Sequence, residues 1–213
     1  GSNENNSPSM RITEVAGDKG ATIAWLDEGA GLPLVILPSL GRGPADYDYL
    51  TQLLIARGLR VLRPFPRGIG DSVGVMQGLT LFDLAGDIAA IIEAAGVGPV
   101  AIAGHAYGNF VARTLATGWP DLVRGVALVA ASAGKTPDGQ SPYAADVLHA
   151  VYHSGDMDLP EEERLRYLRL AFFAPGNDPS SWLGGWHAET KVMQKAAQAA
   201  TAVDDFFACG TAP

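Results

Sequence analysis

The chain predicts an α/β domain: a mostly parallel, doubly wound sheet with helices on both faces, followed by a helical insertion. Three observations predict it. Short β-branched runs alternate with helix-like stripes through the first 135 residues. The run Pro33–Pro38 is continuously apolar, as a strand buried on both faces is. Beyond about residue 136 the strand pattern stops and helical periodicity alone continues.

Element by element, residues 11–16 and 21–26 read as two strands around the turn Gly17-Asp18-Lys19-Gly20. The buried-strand run leads into a Gly-rich turn, Ser39-Leu40-Gly41-Arg42-Gly43-Pro44. A helix over 46–57 follows, stopped by Gly58, and Arg60–Pro64 is the next strand. Residues 80–95 form a helix with Leu81, Leu84, Ile88, Ile91 and Ile92 on one stripe, closed by Gly96 and Gly98. Pro99–Ala103 is a strand, 108–118 a helix and Gly125–Ala130 a strand. Residues 143–153, 161–173 and 187–208 read as helices joined by turns such as Ala174–Pro179. The expected organisation is therefore an N-terminal segment 1–10 with the look of a tag remnant at Gly1-Ser2, a core over 11–135, a helical cap over 136–208, and a second core segment starting at 209–213.

Composition excludes several function classes. Fifteen Lys+Arg against 23 Asp+Glu give a formal charge of −8, and no basic run offers a phosphate-tracking surface, so nucleic acid is not an expected partner. No apolar run approaches the roughly 20 residues a membrane span needs. The first nine residues carry neither a basic n-region nor an apolar h-region. A single cysteine, Cys209, forms no internal disulfide, and the expected compartment is the cytoplasm.

Ligand chemistry in such sheets sits at the carboxyl ends of the strands, here Ser39–Gly43, Pro66–Asp71, Gly104–Asn109 and Ala131–Lys135. The most informative stretch is Val100-Ala-Ile-Ala-Gly104-His105-Ala106-Tyr107-Gly108-Asn109. An apolar strand runs into Gly-x-x-x-Gly and straight into a helix. That context suits a nucleophile elbow, in which the central residue is held in strained backbone and its neighbours must be small. Three further segments accompany it: Leu40-Gly41, Pro66-Arg67-Gly68-Ile69-Gly70-Asp71-Ser72, and Pro120-Asp121-Leu122-Val123-Arg124-Gly125-Val126. Together they make residues 11–135 resemble the first six strands of an α/β-hydrolase. The resemblance implies an oxyanion hole built from the backbone N–H groups of Tyr107 and Leu40, a cap domain, an esterase-like activity and no cofactor.

The sequence departs from that family's pattern twice. Residue 106, the nucleophile position, is alanine, which has no attacking atom. Either a serine has been exchanged or the chain belongs to a natural branch; Gly-His-Ala-aromatic-Gly-Asn resembles such a branch in Tyr107 and Asn109 as well. Second, the catalytic acid and histidine that the resemblance places after the seventh and eighth strands have no counterpart before Pro213, and Asp138 stands too late after strand six. A companion C-terminal segment completing the sheet is the expected partner, beside a small-molecule substrate or ligand. Epoxide- or haloalkane-type chemistry is disfavoured, because it asks for aspartate at 106.

The remaining candidates each have a bland reading. His105 shapes the elbow or substitutes as a base. His149 and His153, at i and i+4 with Asp146 nearby, have metal-pair spacing but no evident third ligand, and no metal is expected. Phe173, Trp182, Trp186 and His187, together with Phe172, line an apolar substrate pocket or glue the insertion together. Glu161-Glu162-Glu163 complements a helix dipole, and Arg164, Arg166 and Arg169 form a solvated face with it. Ser72 and Ser132 are remote alternative nucleophiles. Gly41-Arg42-Gly43 lacks the completions of a nucleotide site. The expected function is hydrolysis of a small apolar ester, lactone or related carbonyl compound, closed to the usual serine route by Ala106, or else non-hydrolytic binding or nucleophile-free catalysis on the same fold.

Overall fold

A computed structural model describes residues 9–130 and 143–202. Ser132, Asp138, Cys209 and the segment 209–213 lie outside the described residues. The chain divides into two compact units, one of residues 1–131 with 189–213 and the other of residues 132–188.

The first unit is built on a seven-stranded sheet among the described residues, with strands β1 Ser9–Val15, β2 Ala21–Glu28, β3 Leu32–Leu37, β4 Leu59–Pro64, β5 Val73–Gly74, β6 Val100–His105 and β7 Val123–Val129. Their order is β1-β2-β4-β3-β6-β7, with the two-residue β5 on β2. β1, β2 and β4 pair antiparallel in turn, whereas β4, β3, β6 and β7 are mutually parallel. The four parallel strands therefore all end on one edge, where β3 and β6 deliver the two segments that the sequence singles out.

Helices α1 Asp48–Ala56, α2 Leu81–Ala95 and α3 Gly108–Gly118 connect the strands. A short 3-10 turn, Pro44–Tyr47, precedes α1, so the helix expected from residue 46 begins two residues later. α2 starts where Asp83 Oδ2 accepts the Thr80 N–H at 2.8 Å, and it stops at Gly96, whose φ of +65° suits a residue without Cβ. Its expected stripe of Leu81, Leu84, Ile88, Ile91 and Ile92 is buried throughout.

The two sheet faces differ greatly. Alternate residues of β2, β3, β4 and β6, including Ile23, Val35, Leu62 and Ile102, pack with α2 and α3 into the main core. On the other face α1 covers only a small cluster, Ile36, Tyr47 and Val61 with their neighbours. Beside β6, the edge strand β7 is exposed along its length: Val126, Leu128 and Val129 are 38, 46 and 50% accessible.

The second unit holds α4 Ala145–His153, α5 Glu161–Ala171 and a 3-10 turn Ser180–Trp182. The last helix, α6 Ala188–Ala200, begins at its boundary and belongs from Glu189 onward to the sheet unit. The expected cap range of 136–208 runs past this boundary. α6 buries Thr190, Met193, Gln194 and Ala197 at helical spacing, and Met193 and Ala197 join the main core. Periodicity shows that a helix has a buried stripe but not which unit the stripe faces. Among the described residues, no helix is long and apolar enough to cross a membrane.

Candidate active site

The elbow is built by close packing. A Cβ on Gly104 would lie 2.6 Å from the Gly108 carbonyl oxygen and 2.7 Å from the Asn109 nitrogen. One on Gly108 would lie 2.6 Å from the Leu37 oxygen and 2.9 Å from that of Pro38. Only glycine lets the end of β6, the start of α3 and the end of β3 meet. Between them Ala106 sits at φ +47°, a left-handed conformation unusual for a residue with a Cβ. It is held by its N–H to Val129 O at 2.9 Å and by its carbonyl, which accepts the Asn109 N–H at 3.0 Å and the Asn109 side-chain amide. The strand-to-helix geometry expected at residues 104–109 is present, with a methyl group at its apex.

The contact of Gly108 with Leu37 and Pro38 brings the turn after β3 to the elbow. Arg42 braces that turn with a buried two-pronged ion pair to Asp46, at 2.8 and 2.7 Å, and with its N–H to Ser39 O. Among the described residues, the N–H groups of Leu40 and Tyr107 donate no hydrogen bond. The neighbouring Gly41 N–H is engaged: it donates to Gln194 Oε1 of α6 at 2.8 Å. Tyr107 turns its ring into the core, edge-on to Phe110, and donates its hydroxyl to the Gln194 carbonyl. Burial pushes the Tyr107 phenol far above its ordinary value, so it remains a donor.

His105 lies on the α1 face, with Nδ1 2.7 Å from the Tyr47 hydroxyl and the two rings edge to face at 5.8 Å. Burial lowers the His105 basicity, and Asp46 only partly opposes this. Burial, reinforced by Asp46, raises the Tyr47 phenol, with a backbone hydrogen bond from Ser39 and the charge of Arg42 acting the other way. The pair is thus a protonated phenol beside a neutral imidazole.

The loop after β4 is equally committed. Arg67 pairs with Asp87 through Nε at 2.7 Å and Nη2 at 2.8 Å, and its Nη1 donates to Val75 O at 2.9 Å. Both side chains are almost fully buried. Burial raises the Asp87 carboxyl, with Arg67 acting against it. Ser72 is fully buried and accepts the Ala24 N–H at 2.9 Å, which removes it as an alternative nucleophile. A cavity of about 50 Å³ lies below this edge, lined by Leu37, Phe65, Tyr107, Val111, Met193 and Gln194 among others.

In the second unit, Phe172, Phe173, Trp182 and Trp186 do form one aromatic cluster, with Trp182 5.5–5.9 Å from each of the other three. Trp186 packs on Gly155, where a Cβ would come within 2.7 Å of its ring. His187 is half-buried next to it in the chain. The expected solvated arginine face needs correcting at Arg164, which is buried and donates to the Ser154 and Leu183 carbonyls. Arg166 and Arg169 are exposed. His149 and His153 stack at 4.3 Å, His149 Nε2 lies 3.1 Å from the Tyr167 hydroxyl, and that hydroxyl donates to Glu163. Asp146 accepts the Val147 N–H instead of joining them. Among the described residues, no group of three or more His, Cys, Asp or Glu is placed to hold a metal. Gln194 escaped the sequence reading, because a glutamine on a helical stripe carries no signal of a partner 153 residues away.

No protein-family model matches the chain. It is 29% identical over 143 residues to a soluble epoxide hydrolase of Corynebacterium sp. (strain C12), a match covering 65% of this chain and 49% of that protein. The chain thus spans about half the length of this curated relative. Among solved structures it resembles a bromoperoxidase from Bacillus anthracis, with TM-score 0.70, 17% identity, and coverage of 94% of this chain and 78% of the other. It also resembles a carboxylesterase of the thaumarchaeon Nitrososphaera gargenis, with TM-score 0.68, 18% identity, and coverage of 93% and 77%. The sheet order, the glycine-packed elbow at Ala106 and these likenesses agree: the chain has the α/β-hydrolase fold.

Proposed function

We propose that this chain is the elbow-bearing core of an α/β-hydrolase-type enzyme for small, fairly apolar esters, lactones or related carbonyl compounds, with its acyl-enzyme route closed at residue 106. The observation that carries the reading is Ala106 at φ +47° at the head of α3, beside unspent Leu40 and Tyr107 N–H groups. Two such donors suit a carbonyl oxygen as negative charge develops on it, an interaction worth about 10²–10³ in rate per donor elsewhere. With serine at 106, the hydroxyl would attack the carbonyl carbon, its proton passing to a base and the C–O π electrons to the oxyanion. With alanine no bond forms. His105 does not replace the base in this reading, since its ring lies on the α1 face, packed edge to face against Tyr47.

The base and acid would come from a companion segment seated on β7, whose apolar side chains are exposed although it reads as a buried strand. Intact mass measured under denaturing and then native conditions tests this; a native mass equal to the chain alone removes the companion. In the intact protein, Ala106→Ser should raise p-nitrophenyl ester hydrolysis at least a hundredfold above the alanine background. A folded serine variant with no gain refutes the triad account. The methyl group itself favours a second reading, non-hydrolytic binding of the same ligands. Phe173, Trp182, Trp186 and His187 are proposed to supply the apolar contacts to such a ligand.

A further inference from the structure

Helix α6 is stitched across the carboxyl edge of the sheet at several points. Thr190 Oγ1 donates to Arg67 O at 2.7 Å, the Gln194 carbonyl accepts the Tyr107 hydroxyl, and Thr201 Oγ1, just past the helix, accepts the Leu81 N–H at 2.8 Å. Met193 is buried in the core beside it. These fastenings hold the main chain whatever the Gln194 side chain does. That side chain is 4% exposed and places its carbonyl oxygen on the Gly41 N–H, one residue from Leu40.

A carboxamide and an ester present the same acceptor, a carbonyl oxygen with two lone pairs. A ligand carbonyl that takes the Gly41 N–H must displace the carboxamide, and it then restores the acceptor that this buried N–H loses.

We propose that Gln194 is a built-in surrogate for the substrate: its side-chain carbonyl occupies the turn after β3 and gates it, so that entry requires a ligand able to replace that acceptor. Gln194 thereby selects carbonyl compounds over apolar molecules of the same size. This inference rests on the reading of the carboxyl edge as a carbonyl site.

The test uses ¹⁵N-labelled chain and γ-valerolactone, followed by the Gly41 backbone amide and the Gln194 side-chain amide in proton–nitrogen correlation spectra. In the wild type, saturation shifts both signals. Gln194→Met keeps an unbranched side chain of similar length without a carbonyl acceptor, and should bind the lactone roughly three- to tenfold more tightly, the size of one net hydrogen bond removed from the competitor. Should Gln194→Ala lose the dispersed spectrum of a folded chain, the methionine variant still decides. Equal or weaker lactone affinity in the variant, with Gly41 shifting in both proteins, overturns the gate and leaves the carbonyl site standing. No shift at the Leu40, Gly41 or Tyr107 amide in either protein overturns both.

Discussion

Replacing Gly104 by alanine tests the packing on which the elbow depends. The new Cβ would sit 2.6 Å from one backbone oxygen and 2.7 Å from two further backbone atoms, Asn109 Cα and N. None of these is the mobile tip of a side chain. Comfortable carbon contacts begin near 3.5 Å, so β6 and the first turn of α3 must part by roughly half an ångström or more. Overpacking typically costs about 1–3 kcal/mol, and a clash of backbone with backbone belongs at the top of that range. In a chain of this size each kcal/mol lowers Tm by about 2–4 °C, which gives a fall of roughly 6–12 °C. Circular dichroism at 222 nm during heating and in urea reads the change. Gly125→Ala is the internal control, because a Cβ there meets nothing within 4 Å and should cost under about 0.5 kcal/mol. If Gly104→Ala unfolds within 1 °C of the control, the geometric account of the elbow is wrong.

Two further outcomes follow from the buried polar groups. Arg67→Met leaves the Asp87 carboxylate buried without its partner and should destabilise by about 3–5 kcal/mol in urea unfolding at neutral pH, whereas adding Asp87→Leu should recover most of the loss. A double variant no more stable than the single one would show that the pair is not the source of the effect. His105, whose basicity burial depresses below its ordinary 6.5, binds a proton less tightly folded than unfolded. Its contribution is complete above pH 6.5 and is lost as pH falls through the window beneath it. Stability should therefore drop more between pH 7 and 5.5 in the wild type than in His105→Gln; parallel profiles would exclude the histidine as the cause.

Local pattern carried most of the sheet unit. The apolar run of β3, the stripe of α2 and the Gly-x-x-x-Gly between β6 and α3 each obey one short-range rule, and each stands where that rule puts it. What local pattern does not encode is the partner. The two-residue β5 is too short for alternation to show. The stripe of α6 reads identically whether it faces the sheet or the helical unit, and Arg164 differs from Arg166 only in which carbonyls come within reach. At the site itself, the position of Ala106 was legible because strained backbone demands glycines at fixed offsets. Gln194 was illegible because its role lies in a hydrogen bond spanning 153 residues.

The unequal cover on the two faces of the sheet has a consequence for how the molecule breathes. Opening the main core exposes Trp25, Leu62, Ile91, Ile102 and Leu115 at once, so amides of β3, β6 and α2 exchange with solvent only through near-global unfolding. Lifting α1 exposes little more than Ile36, Tyr47 and Val61. The turn after β3 is tied to that lightly held side through Tyr47 and the Arg42–Asp46 pair, while Ala106 is tied to the heavily held one through α3. The two halves of the site thus differ in local stability: a rigid elbow faces a turn that Gln194 fastens to the main core at Gly41 while Ser39 and Arg42 move with the lightly held side, and deuterium should reach Ser39 and Arg42 well before it reaches Ile102.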